Sequence, residues 1–369
     1  MDIIDTNRFT LFSNLYTGKK RIKDPKTGKK ITVDVGFDSV EPQITAAINL
    51  ANAFRSLHRA GMAYLDINDG GFYIDVKTGD LLVCDCDNIS GSSNNECKLV
   101  LGTSGYLAPE LVDDPDCGLP NMDTDKHSLA VLLFMLLIWG KPFDGKLLSG
   151  VMVSKSNEKD FYGTKTAVFV YHPTNSNNRP ISSNSNVLKF WKEMTPAVQK
   201  YFTQCFTEGI TKPTKRPTEN RWTQALNSLR AGFVKCPCGG GEEYANEKNL
   251  KKNQYCCPHC RKAYHTLYFP GNGDRYPLMR GKKIFAVSIG AESIHQTIGD
   301  VGEKKSGKDI IIGMVNSSNM DWNIIDGGKT YVVNPGRGFP LNKGTMIEFR
   351  YKEKSGKDEL VRTGKGVVE

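Results

Sequence analysis

Four short motifs that follow one another in a fixed order constrain this sequence more than any other feature. The first two contain the aspartates Asp66 and Asp85, which stand nineteen positions apart. The motifs are YLDI at 64–67, DCD at 85–87, GTSGY at 102–106 and APE at 108–110. Each is weak alone, but their order is informative, because a motif gains meaning from the structural context around it.

The segment between the two aspartates predicts a β-hairpin. Short β-type runs at 72–75 and 81–84 flank VKTGD, whose Thr-Gly centre suits a tight turn. Such a hairpin would return Asp66 and Asp85 to the same cleft. Phosphoryl transfer from ATP needs one aspartate that orients the acceptor hydroxyl and another acidic group that binds Mg²⁺. The two residues fit that chemistry, although aspartates are also common as ordinary turn residues.

The apolar pattern predicts a mainly helical region around these motifs. Apolar residues recur at helical spacing from Ile44 to Leu57, and this amphipathic helix is expected to end near Gly61. The apolar run at 129–140 predicts a buried helix, because it is shorter than the roughly 20 residues of a membrane span. Further helices are predicted over 187–193, 196–207 and 219–232. The start of the chain does not resemble a secretory signal, so we expect a cytoplasmic protein without membrane association.

The motifs resemble those of the protein kinase family, in which a catalytic-loop Asp, a metal-binding Asp, G-T-x-x-Y and A-P-E occur in this order. The resemblance covers about residues 1–232 and concerns the C-terminal lobe of the kinase fold. DKHSL at 125–129 is similar to the family's D-x-W-S-L/F, and KRPT at 215–218 to its R-P-T. YLDINDGGFY and CDCDN are similar to Y-x-D-I-x-D-G-N-F-F and C-D-N-D-N of a bacterial subgroup.

The resemblance implies roles for individual residues. Asp66 would position the serine or threonine hydroxyl of a protein substrate, and Asp85 would hold Mg²⁺ with ATP. Asp87 and Asn68 are further candidates for binding this cofactor. The candidates for the activation segment and the residues that support it are Thr103, Glu110, Asp125 and Arg216. An ion pair is expected between Glu110 and Arg216.

Three departures from the family pattern argue against full activity. Gly71 stands where the family has the Asn that binds a second Mg²⁺, and Tyr64 and Leu65 replace the His and Arg before the catalytic Asp. No glycine-rich loop, strand lysine or partner glutamate precedes Ile44, and MDIID at the start resembles the linker between the two kinase lobes. The N-terminal lobe is therefore expected to be missing and phosphoryl transfer to be weak. Two explanations stay open: a truncated start, and a degenerate kinase, or pseudokinase, kept as an inactive scaffold or docking module.

The cysteines of the last third predict a metal site. Five of the ten cysteines fall within the 25 residues 236–260, which in a reducing compartment favours metal over disulfides. CPHC at 257–260 is a C-x₂-C knuckle, its partner CPC at 236–238 is one residue shorter, and 18 residues separate the two. This pattern predicts a zinc ribbon with a structural Zn²⁺. The expected ligands are Cys236, Cys238, Cys257 and Cys260, with Cys256 in reserve and His259 or His265 as substitutes.

Beyond residue 266 the sequence predicts a β-rich domain. The runs IFAVSIG, DIIIGMV, TYVVN and MIEFRY alternate with Gly-rich turns, as in a small β-sandwich or barrel. The segment 282–351 is faintly similar to forkhead-associated β-sandwiches, without a match to their phosphothreonine-reading residues, and Trp322 is expected in its core. The net charge is +9, with 22 basic and 15 acidic residues from Lys235 onwards, so nucleic acid is a weaker candidate partner than a protein.

The predicted architecture is α+β and multidomain. It consists of a mainly helical kinase-like domain at 1–232, a zinc ribbon at 233–266 and a β-sandwich-like domain at 267–369.

Overall fold

A computed structural model describes residues 4–24, 26–84, 87, 89–91, 102–114, 120–182, 185–246, 248–307, 309–355 and 358–369. The chain forms two compact units, Met1–Leu226 and Asn227–Glu369. Helices dominate the first unit and strands the second, so the chain is an α+β protein. No helix among the described residues is long and apolar enough to cross a membrane.

The first unit holds the segments that carry the four motifs. Its helices are α1 Phe12–Thr17, α2 Val40–Arg59, α3 Pro109–Asp113, α4 Met122–Ile138, α5 Lys159–Tyr162, α6 Ser185–Glu193, α7 Pro196–Cys205, α8 Glu208–Thr211 and α9 Glu219–Gly232, which continues into the second unit. Its strands are β1 Phe9–Leu11, β2 Lys19–Lys23, β3 Lys30–Asp34, β4 Met62–Tyr64, β5 Phe72–Asp75, β6 Leu81–Val83 and β7 Ile89–Gly91.

Helix α2 forms one side of the core of the first unit. Its apolar positions, among them Ile44 and Phe54, are buried as their spacing predicts, and the helix begins earlier than expected, at Val40. Gln43 Nε2 donates a hydrogen bond to the backbone oxygen of Leu136 at 2.6 Å and so ties α2 to α4. A buried amide that is paired in this way costs little to desolvate and fixes how the two helices pack.

Helix α4 is the central element of the first unit. It is buried almost throughout from Thr124 to Ile138, which explains why its sequence is apolar on every side. Its first turn is fixed by Asn121, whose side chain accepts hydrogen bonds from the backbone N–H groups of Asp123 and Thr124. Such an N-cap typically stabilises a helix by about 1 kcal/mol.

Strands β5 and β6 form the predicted hairpin, with Phe72 opposite Val83. In its turn Gly79 has a φ of +79°, and a Cβ at this position would lie 2.4 Å from the backbone oxygen of Pro42. Only glycine therefore allows the turn to lie this close to the start of α2. The Lys/Gly-rich stretch at 18–30 also lies in a hairpin, formed by β2 and β3.

The second unit is built almost entirely of strands. They are β8 Phe233–Lys235, β9 Glu242–Tyr244, β10 Leu250–Lys251, β11 Gln254–Cys256, β12 Ala263–Tyr264, β13 Thr266–Tyr268, β14 Arg275–Pro277, β15 Lys283–Phe285, β16 Thr297–Ser306, β17 Asp309–Asn316, β18 Trp322–Asp326, β19 Lys329–Val333, β20 Gly338–Pro340, β21 Met346–Ser355 and β22 Asp358–Val368. The larger sheets have the orders β14-β13-β22-β21-β18-β19 and β15-β16-β17-β20.

The two larger sheets share one hydrophobic core. Ile347 and Phe349 contribute from the six-stranded sheet, and Ile298 and Met314 contribute from the four-stranded sheet. Trp322 is fully buried in this core and its Nε1 donates to the backbone oxygen of Arg350 at 3.0 Å, which confirms its predicted packing role. A buried indole needs such a partner for its only polar group.

One predicted strand in this unit is only partly a strand. In IFAVSIG the β-structure ends at Phe285, and Ala286–Ile289 form a 3₁₀ turn that closes at Gly290, where φ is +82°. The run is apolar because this turn is itself buried in the core. Apolar composition alone therefore did not distinguish a strand from a 3₁₀ turn.

Candidate active site and candidate metal centre

The loop that carries Asp66 is held at both of its ends. At its start, the backbone N–H of Tyr64 donates to Asp125 Oδ2 at 2.7 Å, and the Tyr64 hydroxyl donates to the backbone oxygen of Cys84 at 2.6 Å. At its end, the Cys84 N–H donates to the backbone oxygen of Gly71 at 2.8 Å. The loop is thereby attached to α4 on one side and to the chain that leaves β6 on the other.

Asp66 meets the third motif directly. Thr103 Oγ1 donates to Asp66 Oδ1 at 3.1 Å, and Asn68 Nδ2 donates to the same hydroxyl at 3.3 Å. Asp66 is half-buried, so its carboxylate is both positioned and accessible. The first and third motifs, which are 37 positions apart at these two residues, therefore form one hydrogen-bonded group.

Asp85, the second predicted aspartate, lies outside the described residues. Its role as a metal ligand therefore stays a prediction. Asp87 is described and is exposed. At Gly71, a Cβ would lie 3.0 Å from the Tyr64 hydroxyl, so the tyrosine that replaces the family's histidine also limits the space for a side chain here.

The ion pair predicted between Arg216 and Glu110 is present. Arg216 donates from Nη1 to Glu110 Oε1 at 2.8 Å and from Nη2 to Glu110 Oε2 at 2.6 Å. Arg216 also donates to the backbone oxygens of Asp123 and Gly209, and its side chain is fully buried. Bidentate pairing with a carboxylate is the geometry that guanidinium favours. The APE motif is thus fixed to the helical base of the unit.

Asp125 takes part in a buried cluster that the sequence did not reveal. His58 donates from Nε2 to Asp125 Oδ2 at 3.0 Å, and its Nδ1 lies 2.9 Å from Glu219 Oε1. Burial alone would lower the pKa of His58, but the hydrogen bonds and charges of the two carboxylates raise it to about 9. His58 follows Phe54 by one helical turn on α2, so a polar residue within the apolar stripe was the available signal.

His127 occupies the place of the family's tryptophan in DKHSL. Its ring stacks on Phe143 and meets Phe206 edge-on, and no described residue is hydrogen-bonded to its Nδ1. Burial lowers the pKa of His127 well below its usual value, and the charge of Arg216 lowers it further. The imidazole is therefore neutral and serves as an aromatic core residue rather than as a catalytic group.

Tyr106 of the third motif has a polar neighbour that the sequence also did not indicate. Burial raises the pKa of Tyr106, and the charge of the nearby Asp69 raises it further. Lys141 Nζ lies 4.9 Å from the centre of the Tyr106 ring. Asp69 comes three positions after Asp66, so the loop that carries Asp66 contacts the GTSGY segment at two points.

The four cysteines predicted as metal ligands converge in the second unit. The Sγ atoms of Cys236, Cys238, Cys257 and Cys260 all lie within 4.8 Å of one another. The distance from Cys236 Sγ to Cys260 Sγ is 3.7 Å, and that from Cys238 Sγ to Cys257 Sγ is 3.8 Å. A tetrahedral zinc with Zn–S bonds of about 2.3 Å has S–S edges of about 3.8 Å, so the thiols fit this ion.

The reserve ligands that the sequence suggests lie apart from this cluster. Cys256 belongs to β11 and is not among the converging thiols of the described chain. His259 Nε2 lies 2.8 Å from Glu243 Oε1, and His265 Nδ1 lies 2.9 Å from the backbone oxygen of Glu369. The short C-x-C knuckle therefore needs no histidine to complete a set of four ligands.

Comparison with known proteins identifies the first unit. The protein kinase domain family matches residues 32–228, which is more than half of the chain. The chain belongs to the protein kinase family. The sequence prediction of this family is thereby confirmed, and kinases transfer the γ-phosphoryl group of ATP with the help of Mg²⁺.

Two curated kinases are similar to part of this chain. Protein kinase YegI of Escherichia coli strain K12 is 28% identical over 197 residues, which are 52% of this chain and 29% of YegI. Protein kinase YegI of Escherichia coli O157:H7 is 28% identical over 248 residues, which are 65% of this chain and 36% of that protein. The chain thus spans about a third of the length of these curated relatives.

Proposed function

We propose that this chain carries the acceptor side of a protein serine/threonine kinase site, with Asp66 as the residue that positions the attacking hydroxyl. The observation that carries the proposal is the Thr103–Asp66 hydrogen bond, which Asn68 supports from the same loop. In the reaction, the hydroxyl oxygen attacks the γ-phosphorus, the bond to the bridging oxygen breaks and ADP leaves. Asp66 would accept the proton of that hydroxyl.

We propose that Asp85, assisted by Asp87 and Asn68, holds the Mg²⁺ that neutralises the ATP phosphates. Support comes from Cys84, which is bonded to Asp85 through the backbone and makes hydrogen bonds to both Tyr64 and Gly71. Consecutive Cα atoms are about 3.8 Å apart, so these contacts bring the chain next to Asp85 close to the Asp66 loop. Gly71 offers no side chain for a second ion, and we therefore expect weak transfer by this polypeptide.

The test is transfer of labelled phosphate from ATP to serine- and threonine-containing peptides. We expect a rate well below the roughly 1–100 s⁻¹ of typical kinases, because positioning supplies most of the catalysis and one metal ligand is absent. Gly71→Asn combined with Tyr64→Phe, which removes the crowding hydroxyl, is expected to raise the rate at least about tenfold. The proposed impairment is wrong if the unmodified chain transfers phosphate at typical kinase rates and Asp66→Ala abolishes this transfer. The proposed role of Asp66 is refuted if Asp66→Ala leaves the transfer rate unchanged.

The second candidate function is a docking module without catalysis, a pseudokinase scaffold. It is favoured by Gly71, which has no side chain to bind a second metal ion. The Tyr64 hydroxyl also limits the space for a side chain at this position. The two candidates differ in nucleotide binding, because only the kinase site needs Mg²⁺ and ATP. A protein substrate or docking partner is proposed in both cases.

For the second unit we propose a structural zinc ribbon followed by a β-sandwich. The fit of the four Sγ atoms to a zinc tetrahedron supports the first, and the common core of the two larger sheets supports the second. The proposed boundaries are 1–232, 233–266 and 267–369, and a forkhead-associated-like architecture is proposed for the last. Reduced cysteine ligands are consistent with the proposed cytoplasmic location.

A further inference from the structure

The hairpin of β2 and β3 carries a large share of the net charge of the chain. Residues 19–34 contain seven basic and two acidic side chains, a net charge of +5 in a chain whose net charge is +9. Soluble surfaces usually intersperse both signs, and a block of one sign often marks a segment that binds a partner of the opposite sign. The hairpin therefore differs from an ordinary solvated surface.

Alternation along the two strands places most of these charges on one face of the hairpin. We call cationic face the four exposed side chains that share this side, which are Lys19, Arg21, Lys23 and Lys30. One acidic residue, Asp34, lies on the same side, opposite Lys19 at the start of β2. The other side of the hairpin is half-buried at Ile22 and Val33.

The hairpin is fixed at both of its ends. At the start of β2, Lys20 Nζ donates to the backbone oxygen of Thr6 at 2.6 Å. At the tip, the Asp24 N–H donates to the backbone oxygen of Lys29 at 2.8 Å, and the Asp24 carboxylate accepts from the Lys26 N–H at 2.8 Å. The backbone under the cationic face is thus ordered before a partner binds, so only side chains lose freedom on binding.

The charges of the cationic face are not neutralised by the described part of the chain. The ion pairs nearest to it in sequence are those of Arg8 with Asp75 and Asp80, and none of the ion pairs between described residues involves the cationic face.

The register even places two cations directly opposite each other, since Lys23 pairs with Lys30. Like charges in such a cross-strand pair destabilise a hairpin. Lysines can protect a strand edge from aggregation, but that purpose does not require two of them to face each other. A negatively charged partner over the pair accounts for this cost.

The chemistry of the cationic face favours a duplex over other polyanions. The face holds no aromatic or apolar side chain. Single-stranded nucleic acid is usually held by aromatic side chains that stack on its bases, and amphipathic attachment to a lipid surface uses apolar side chains. Duplex DNA needs neither, because its backbones present one negative charge per about 1.7 Å of the helix axis. Its major groove, about 12 Å wide, also admits a two-stranded β-ribbon.

We propose that the cationic face is a docking surface for double-stranded DNA that contacts phosphates without reading the base sequence. Alternate residues of a strand are about 6.4–6.8 Å apart, so Lys19, Arg21 and Lys23 reach separate phosphates of one DNA strand. Lys30 adds a contact from β3. The proposal is independent of phosphoryl transfer by the Asp66 site.

The experiment measures binding of the full chain to a fluorescein-labelled DNA duplex by fluorescence anisotropy. With three to four phosphate contacts, the logarithm of the association constant should fall with the logarithm of the salt concentration with a slope of about −3. The affinity should therefore fall about 60-fold between about 50 and 200 mM salt. The single strand of the same sequence should bind more weakly, because its charge density is lower.

Two variants with equal loss of charge make the result specific. The hairpin variant changes the four residues of the cationic face to glutamine. It should bind the duplex at least about tenfold more weakly, with a slope closer to zero. The control variant changes four exposed basic residues of the second unit to glutamine, namely Lys304, Lys305, Lys329 and Arg350. It should bind like the unmodified chain.

Lys30→Glu separates binding from folding. The new carboxylate lies opposite Lys23, so the melting temperature of the protein should rise slightly while the affinity for the duplex falls. The proposal is overturned if the duplex does not bind, or if the hairpin variant or Lys30→Glu binds it like the unmodified chain. It is also overturned if the control variant loses as much affinity as the hairpin variant. Tighter binding to the single strand, to polyglutamate or to vesicles of phosphatidylserine and phosphatidylcholine than to the duplex would overturn it as well.

Discussion

Arg216→Ala is expected to lower the free energy of unfolding of the first unit by about 3–5 kcal/mol. The guanidinium is fully buried and donates to Glu110 twice and to the backbone oxygens of Asp123 and Gly209. Removal leaves these acceptors without their donor, and Glu110 without its counter-charge, which costs more than the pair itself contributes. Urea unfolding followed by the fluorescence of Trp139, Trp191 and Trp222 of this unit measures the loss.

Two further variants test whether the loss of stability comes from the buried ion pair or from the removal of any charged side chain. Lys126→Ala breaks the Lys126–Asp123 pair, which is 2.7 Å long and more exposed, and should cost less than about 1 kcal/mol. Arg216→Met with Glu110→Leu should recover part of the loss, because no buried charge is left unpaired. Equal losses for Arg216→Ala and Lys126→Ala would contradict the importance assigned to this pair.

Removal of zinc is expected to unfold the segment 236–260 of the second unit. Structural zinc contributes an apparent 10–16 kcal/mol or so in zinc-finger peptides, which exceeds any single contact in this chain. The segment around the cysteines has only a small core, formed by side chains such as Val234, Tyr255 and Tyr264, so little else stabilises it. Elemental analysis should give one zinc per chain, and a strong chelator should remove the ordered signals of this segment from an NMR spectrum.

Cysteine variants test the same claim without a chelator. Cys257→Ser should abolish zinc binding, because Cys257 is a buried member of the converging set. Cys256→Ser is the matched control, since it changes the neighbouring thiol, which lies on β11 outside that set, and it should keep one zinc per chain. Metal-free protein that retains its folded spectrum would disprove the zinc assignment.

Local patterns in the sequence predicted a large part of this fold. The apolar spacing of α2 and the uninterrupted apolar run of α4 reflect one-sided and complete burial, and both helices are present near the expected bounds. The cysteine cluster followed from two knuckles, because the thiols of each knuckle are neighbours in the sequence. The Arg216–Glu110 pair joins residues 106 positions apart, and it was expected because the resemblance to the kinase family implies it.

Features that depend on distant partners were not predictable in this way. His58 is charged because Asp125 and Glu219, 67 and 161 positions away, meet it inside the unit. The last strand, Asp358–Val368, has little apolar alternation and is a strand because it pairs along its length with Met346–Ser355. Tertiary pairing overrides local preference for such segments.

The measurement that tests the central claim most directly is the number of Mn²⁺ ions bound with ADP, counted by electron paramagnetic resonance. Mn²⁺ replaces Mg²⁺ at oxygen ligands, and Gly71 offers no side chain for a second ion. We expect one Mn²⁺ per chain in the presence of ADP, lost in Asp85→Asn and retained in Asp66→Asn and in the exposed control Asp38→Asn. Binding by Asp85→Asn equal to that of the unmodified chain would contradict a kinase-type metal site beside Asp66.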